Sequence, residues 1–226
     1  MRHANRYLID MGYRLGSMKV IKTIALAMML ITASSAQAEY FGLIAGREAT
    51  LEKTSELTAE LGIVTGELEG LDYQNIAARV SYLVAPDLLL SATAGISEFD
   101  RTNGVPLGLS AQYHLSRQRI SSAVHIAARA SYHFGEFSVR SIEGELDALA
   151  LEMSVSGVEP LMASGLSWYS NVGYHRISLD FEDSDASSKI GLGAGLVLPT
   201  GLGEAYLGFE FIGDLTIGLG FRYFVY

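Results

Sequence analysis

Leu215-Thr-Ile-Gly-Leu-Gly-Phe-Arg-Tyr-Phe-Val-Tyr226 decides how the rest of the chain is read. Ile217, Leu219, Phe221, Tyr223 and Val225 alternate with Gly218, Gly220, Arg222 and Phe224. Successive side chains of a β-strand point to opposite faces, so this period of two describes a ribbon with one greasy face. A strand with lipid on one side and an enclosed interior on the other requires that pattern.

Upstream segments repeat it. Val105, Leu107, Leu109, Ala111, Tyr113 and Leu115 oppose Pro106, Gly108, Ser110, Gln112 and His114. Val124, Ile126, Ala128, Ala130, Tyr132 and Phe134 oppose His125, Ala127, Arg129, Ser131 and His133. The same two-sidedness runs through 76–84, 88–96, 149–155, 166–174, 190–198 and 206–211, with Ser170 a lapse on the apolar face. Most of these runs span the ~9–11 residues that cross a bilayer as a tilted strand; 149–155 and 206–211 are shorter. Hydrophobic residues make up 49% of the chain, yet beyond residue 38 none of them form a run long enough for a spanning helix. Apolar residues dispersed at short period are the mark of a transmembrane barrel.

The beginning of the chain reads differently. Arg2, Arg6, Arg14, Lys19 and Lys22 precede an apolar run from Ile24 to Ile31 and then Ala36-Gln-Ala38. A basic start, a short apolar middle and a small-residue site describe a secretory signal with cleavage after Ala38. Residues 1–38 are therefore expected to be an upstream extension plus signal, with Met18 the natural start, and 39–226 the barrel. Without residues 1–38, eleven of the sixteen basic residues and twenty-four of the twenty-five acidic ones remain. Such acidity argues against nucleic acid as a partner. The absence of cysteine excludes disulfides and thiolate metal sites.

Turn signals at Ala85-Pro-Asp87, Ser116–Arg119, Ser156–Pro160 and Pro199–Gly203 fall at one end of the runs. Residues 50–72, 100–104, 135–143, 182–189 and Gly213-Asp214 fall at the other and are expected to be its loops, mostly longer and more acidic. This parity predicts an all-β, closed, antiparallel up-and-down barrel of ten strands, the first over Tyr40–Ala49, with eight strands as the alternative. Residues 53–71 read either as strand extensions or as a short helix capped at Thr54 or Ser55.

With Ala77-Ala-Arg-Val-Ser-Tyr-Leu-Val-Ala-Pro-Asp-Leu-Leu-Leu-Ser-Ala-Thr-Ala-Gly95 and the closing Gly218–Tyr226, residues 39–226 resemble the small outer-membrane barrels of OmpA/OmpX type. The resemblance implies outer-membrane lipid and the barrel assembly machinery as partners. It also implies an assembly signal in Phe221, Tyr223, Phe224 and Tyr226, although Tyr226 falls one step out of phase with the outward series.

On the inward parity stand Arg79, Arg129 and Arg222 with Glu152 and Glu210, joined by Glu48. Charges inside a narrow barrel need partners, which predicts an ion-paired network filling the bore. Inward glycines and serines beside large residues such as Tyr169 and Tyr206 favour filling as well. Tyr113, Tyr132, Trp168 and Tyr174 face outward and are expected at the membrane interfaces. His114 and His125 read as standing at different heights, and His133 and His175 as lying on non-adjacent strands, so no metal or cofactor is expected.

Two enzyme patterns known in small outer-membrane barrels have local echoes here. His114-Leu-Ser116 has the letters of a lipid A deacylase motif, but at a turn on the wrong side. His175 with Asp180, Asp183 and Asp185 could activate water at an outer rim as a protease does. The reading favours a non-enzymatic structural or surface-interaction protein of the outer membrane, its outer face formed by 50–72 and 182–189. A narrow channel for small solutes and an outer-leaflet hydrolase are the alternatives.

Overall fold

The computed structural model describes Ala49 and residues 56–68, 71–99, 102–115, 124–139, 142–158, 165–180 and 184–225. The expected leader lies outside them. The unit from Ala36 to Tyr226 carries ten strands: β1 (Leu57–Leu68), β2 (Leu71–Ala85), β3 (Leu88–Phe99), β4 (Thr102–His114) and β5 (Val124–Val139) come first. After them come β6 (Ile142–Val158), β7 (Ser167–Asp180), β8 (Ser184–Pro199), β9 (Gly203–Phe211) and β10 (Leu215–Val225). Each pairs antiparallel with its neighbours in sequence, and β1 pairs with β10 to close the barrel.

The count of ten holds, but the first strand differs from the expectation. Leu57–Leu68 takes the place beside β10, with Leu57 opposite Val225 and Gly66 opposite Thr216. The stretch 53–71 was ambiguous because Val64 puts an apolar residue among Thr58, Glu60 and Gly62 on the inward parity. Of the expected strand Tyr40–Ala49 only Ala49 is described. It is buried off the ladder, and its N–H donates to Ser156 Oγ at 2.7 Å.

The expected outer loops are also corrected. β5 runs to Val139 and β6 starts at Ile142, so most of 135–143 is strand. Thr102–Gly104 belongs to β4, Ser184–Lys189 to β8, and 57–68 and 71–72 to β1 and β2. At this hairpin end the strands are joined by short connections, of which Ile212–Asp214 is fully described. Gly213 there has φ +93°, a left-handed conformation that glycine tolerates. At the opposite end, which holds the start of β1 and the end of β10, residues 115–123 and 159–166 connect strands. Pro86-Asp87 and Thr200–Leu202 form its short turns, with the Thr200 N–H donating to the Gly203 carbonyl at 2.7 Å.

The physical reason for the longer strands is a reversal of polarity along the wall. In the lower part the outward parity is apolar: Ile76, Val80, Tyr82, Leu107, Leu109, Leu149, Leu151, Leu219 and Phe221 are all exposed. Toward the hairpin end the outward positions become Glu67, Asp72, Gln74, Glu98, Asn103, Glu136, Glu145, Asp147 and Arg176. The inward parity changes the opposite way, to Val64, Tyr73, Phe137, Leu146, Ala148 and Ile177, which are buried together with Ile212. Period two persists throughout, but the apolar residues exchange faces. The lower wall is arranged for lipid, and the upper wall is arranged as a water-facing barrel around an apolar core.

Candidate functional site

The bore is the site, and it is built from the inward parity of all ten strands. One line of directly opposed residues crosses seven of them: Glu204, Arg222, Glu60, Arg79, Thr93, Gly108 and His133. Alternating charge along this line produces consecutive ion pairs. Arg222 Nη1 lies 2.5 Å from Glu204 Oε2, and Arg222 Nε lies 3.3 Å from Glu60 Oε1. On the other side of Glu60, its Oε2 is 3.7 Å from Arg79 Nη1. The Arg79 Nε–H donates to Thr93 Oγ1 at 3.4 Å, and the Arg222 guanidinium stands 5.7 Å from the centre of the Tyr206 ring.

A second network lies across β5, β6 and β7. The Arg129 Nε–H donates to Glu152 Oε2 at 2.6 Å, and Arg129 Nη2 pairs with the same oxygen. Asn171 Nδ2 donates to Glu152 Oε1 at 2.9 Å. Thus both carboxylate oxygens have cationic or amide donors, which is what makes a buried carboxylate tolerable. Glu210 is also buried, opposite Gly193 on β8.

All five charges expected inside, Arg79, Arg129, Glu152, Glu210 and Arg222, are buried there. Glu48 lies outside the described residues. Sequence reasoning missed Glu60, hidden in the stretch read as loop, and Glu204, which follows a turn signal directly. The clue available was numerical: three inward arginines met only two firmly placed glutamates.

Glycine makes room for the large inward side chains. A Cβ on Gly108 would meet only the His133 ring among its nearest atoms, all three of them imidazole. Likewise Gly195 lies against Tyr169, Gly220 against Tyr206, and Gly173 against Glu152. The expected interleaving of large and small residues is therefore present. Above the charges, toward the hairpin end, Tyr73, Phe137, Leu146 and Ile177 belong to the buried apolar cluster.

On the outer face, Tyr113, Tyr132 and Tyr174 are exposed and Trp168 is half-buried. Tyr113 and Trp168 stand near the terminal end of the wall, as do Tyr82 and Tyr223. Tyr132 and Tyr174 stand where the apolar belt gives way to polar wall. The Tyr132 hydroxyl donates to Asp147 Oδ1 at 2.5 Å, and the Tyr174 hydroxyl to Ser188 Oγ at 2.9 Å. Rings on the apolar side with hydroxyls toward the polar side suit an interfacial position. Of the expected assembly signal, Phe221 and Tyr223 face outward and Phe224 is half-buried on the inward parity; Tyr226 lies outside the described residues.

The histidines are corrected in one respect. His114 and His125 are not separated by height: their ring centroids are 5.5 Å apart. His133 and His175 are both buried on the inward parity of β5 and β7, which β6 separates. His175 is thus enclosed in the bore, away from any outer rim. Ser116, and the side chains of Asp180, Asp183 and Asp185, lie outside the description.

No protein-family model matches the chain, and no curated protein matches it. Among solved structures, the chain is similar to the translocator domain of autotransporter NalP from Neisseria meningitidis. That likeness has 10% identity and a TM-score of 0.42, covering 77% of this chain and 90% of that one. It is also similar to the beta domain of the Bordetella autotransporter BrkA, at 10% identity and a TM-score of 0.49, covering 74% and 98%. A third likeness is to the N-terminal beta-barrel domain of Pseudomonas aeruginosa OprF, at 13% identity and a TM-score of 0.34, covering 76% and 100%. At these identities and scores, none of them assigns a role to this chain.

Proposed function

We propose that the protein is an integral outer-membrane barrel of the small OmpA/OmpX-type class whose bore is filled and does not conduct. Its role is structural or surface-interacting rather than enzymatic. The exposed apolar belt supports residence in lipid, because such a belt in water would be a large aggregation-prone patch. The signal-like residues 1–38 support export, and outer-membrane lipid and the barrel assembly machinery are the expected partners. With the terminal end in the periplasm, the polar hairpin end faces outward and offers the surface for an extracellular partner.

The observation that carries the filled bore is its layering. Ion-paired residues pack the lipid-level interior, and a buried apolar layer around Phe137 and Leu146 lies above them. An ion crossing that layer would lose its hydration without receiving a replacement. Planar-bilayer recording on the refolded chain tests this directly. A flat trace is expected, and discrete openings in the unmodified protein would overturn the reading in favour of a narrow channel. Membrane fractionation and heat-dependent gel mobility test the location and the closed barrel; recovery as a soluble periplasmic monomer would overturn both.

A further inference from the structure

We propose that His114 and His125 form a two-imidazole site for a divalent transition-metal ion at the terminal mouth of the bore. His114 is the last residue of β4 and His125 the second of β5. In the ladder His114 stands opposite Ala127, so the two histidines are diagonal neighbours on one face. Ala127 is completely buried and small, which leaves the space over it to the two rings. Their centroids are 5.5 Å apart and their planes are inclined by 42°.

Two imidazole nitrogens that each hold one ion at ~2.1 Å put their ring centroids roughly 5–6 Å apart. The observed separation of 5.5 Å falls within that range. The backbone on both sides is fixed by the sheet: His114 N–H donates to the Asp87 carbonyl, and Leu115 N–H to the Ile126 carbonyl, each at 2.9 Å. Histidines anchored on paired strands lose little freedom when they chelate. The buried Nδ1 of His125 has no hydrogen-bond partner among the described residues.

Imidazole donors select zinc, copper and nickel over magnesium and calcium. Among the described residues no group of three such side chains is found, so the two imidazoles are the ligands that the structure offers. The proposed site is defined by these two imidazoles alone. It does not depend on whether the bore conducts.

The test is zinc titration of the refolded full chain by calorimetry, with copper EPR to count nitrogen ligands. One zinc per barrel and a two-nitrogen copper signal are expected. His114→Asn and His125→Asn should each weaken zinc binding at least tenfold while keeping the heat-dependent gel shift that reports a closed barrel. No zinc or copper uptake at neutral pH would overturn the proposal. So would affinity unchanged in both variants, which would place any bound metal elsewhere in the chain.

Discussion

Arg222 on β10 lies between two carboxylates, Glu204 on β9 at 2.5 Å and Glu60 on β1 at 3.3 Å, and so ties together the seam at which the barrel closes. Arg222 and Glu60 are each only 3% exposed. Removing the cation takes the arginine partner from buried Glu204 and leaves buried Glu60 to the more distant Arg79. Arg222→Met is expected to destabilise the folded barrel by about 3–5 kcal/mol, read as a lower urea midpoint in detergent or lipid. Adding Glu204→Gln and Glu60→Gln should restore part of the loss. A single variant with unchanged midpoint would mean that the seam is not held this way.

Gly108 and His133 give a separate check on the filling of the bore. Gly108→Ala should cost about 1–3 kcal/mol through overpacking, because the added methyl would meet the imidazole. In a His133→Ala background the same change should cost almost nothing. Additive losses in the double variant would remove the claim that the two share one space.

The belt and the upper wall should answer oppositely to charge. Leu109 on β4 is 61% exposed on the outward face, and Leu109→Arg should destabilise the barrel in liposomes by about 2–4 kcal/mol. Glu136→Arg, outward on β5 beyond the belt, should be neutral or mildly stabilising, because Glu136 stands directly opposite Glu145. Equal losses in the two variants would place the lipid boundary wrongly.

Phe137 is 3% exposed inside the hairpin end. Phe137→Ala should cost about 3–5 kcal/mol through cavity formation. Phe209→Ala, on the outward face where lipid can fill the gap, should cost clearly less. Urea unfolding of both in the same lipid decides the matter.

The architecture was legible in the sequence wherever outward residues are apolar. Strands β2 to β10 could all be located from runs such as 105–115 and 124–134. Their upper portions could not, for a physical reason visible at β6. There Leu146 and Ala148 point inward while Glu145 and Asp147 point outward; from the next outward position on, Leu149 and Leu151 point outward and Glu152 inward. Reading only for apolar-outward alternation turns the first part into a loop. β1 is the exception: its Leu57, Leu61 and Ile63 are apolar and outward, yet the strand is absorbed into an apparent acidic connection once Tyr40–Ala49 is given the first place in the barrel.

The inward charges were identifiable because period two assigns a face to every residue of a strand. Their partnerships were not, since pairing depends on register, and register depends on turn lengths at both ends. Glu60 against Arg222 links the first strand to the last, a relation that only closure creates. The approach of His114 to His125 was missed for the same reason: stagger between β4 and β5 brings diagonal positions together.

The outward carboxylates at Glu67, Asp72, Glu98, Glu136, Glu145 and Asp147 have a mechanical consequence for the surrounding bilayer. They form an arc over β1 to β6 that resists being drawn into hydrocarbon, so on that side the barrel resists sinking to suit a thicker membrane. Hydrophobic mismatch must then be absorbed by the lipid, which has to thin around a stiff, closed wall. The acidic shoulder thus fixes the height of one side of the wall against lipid.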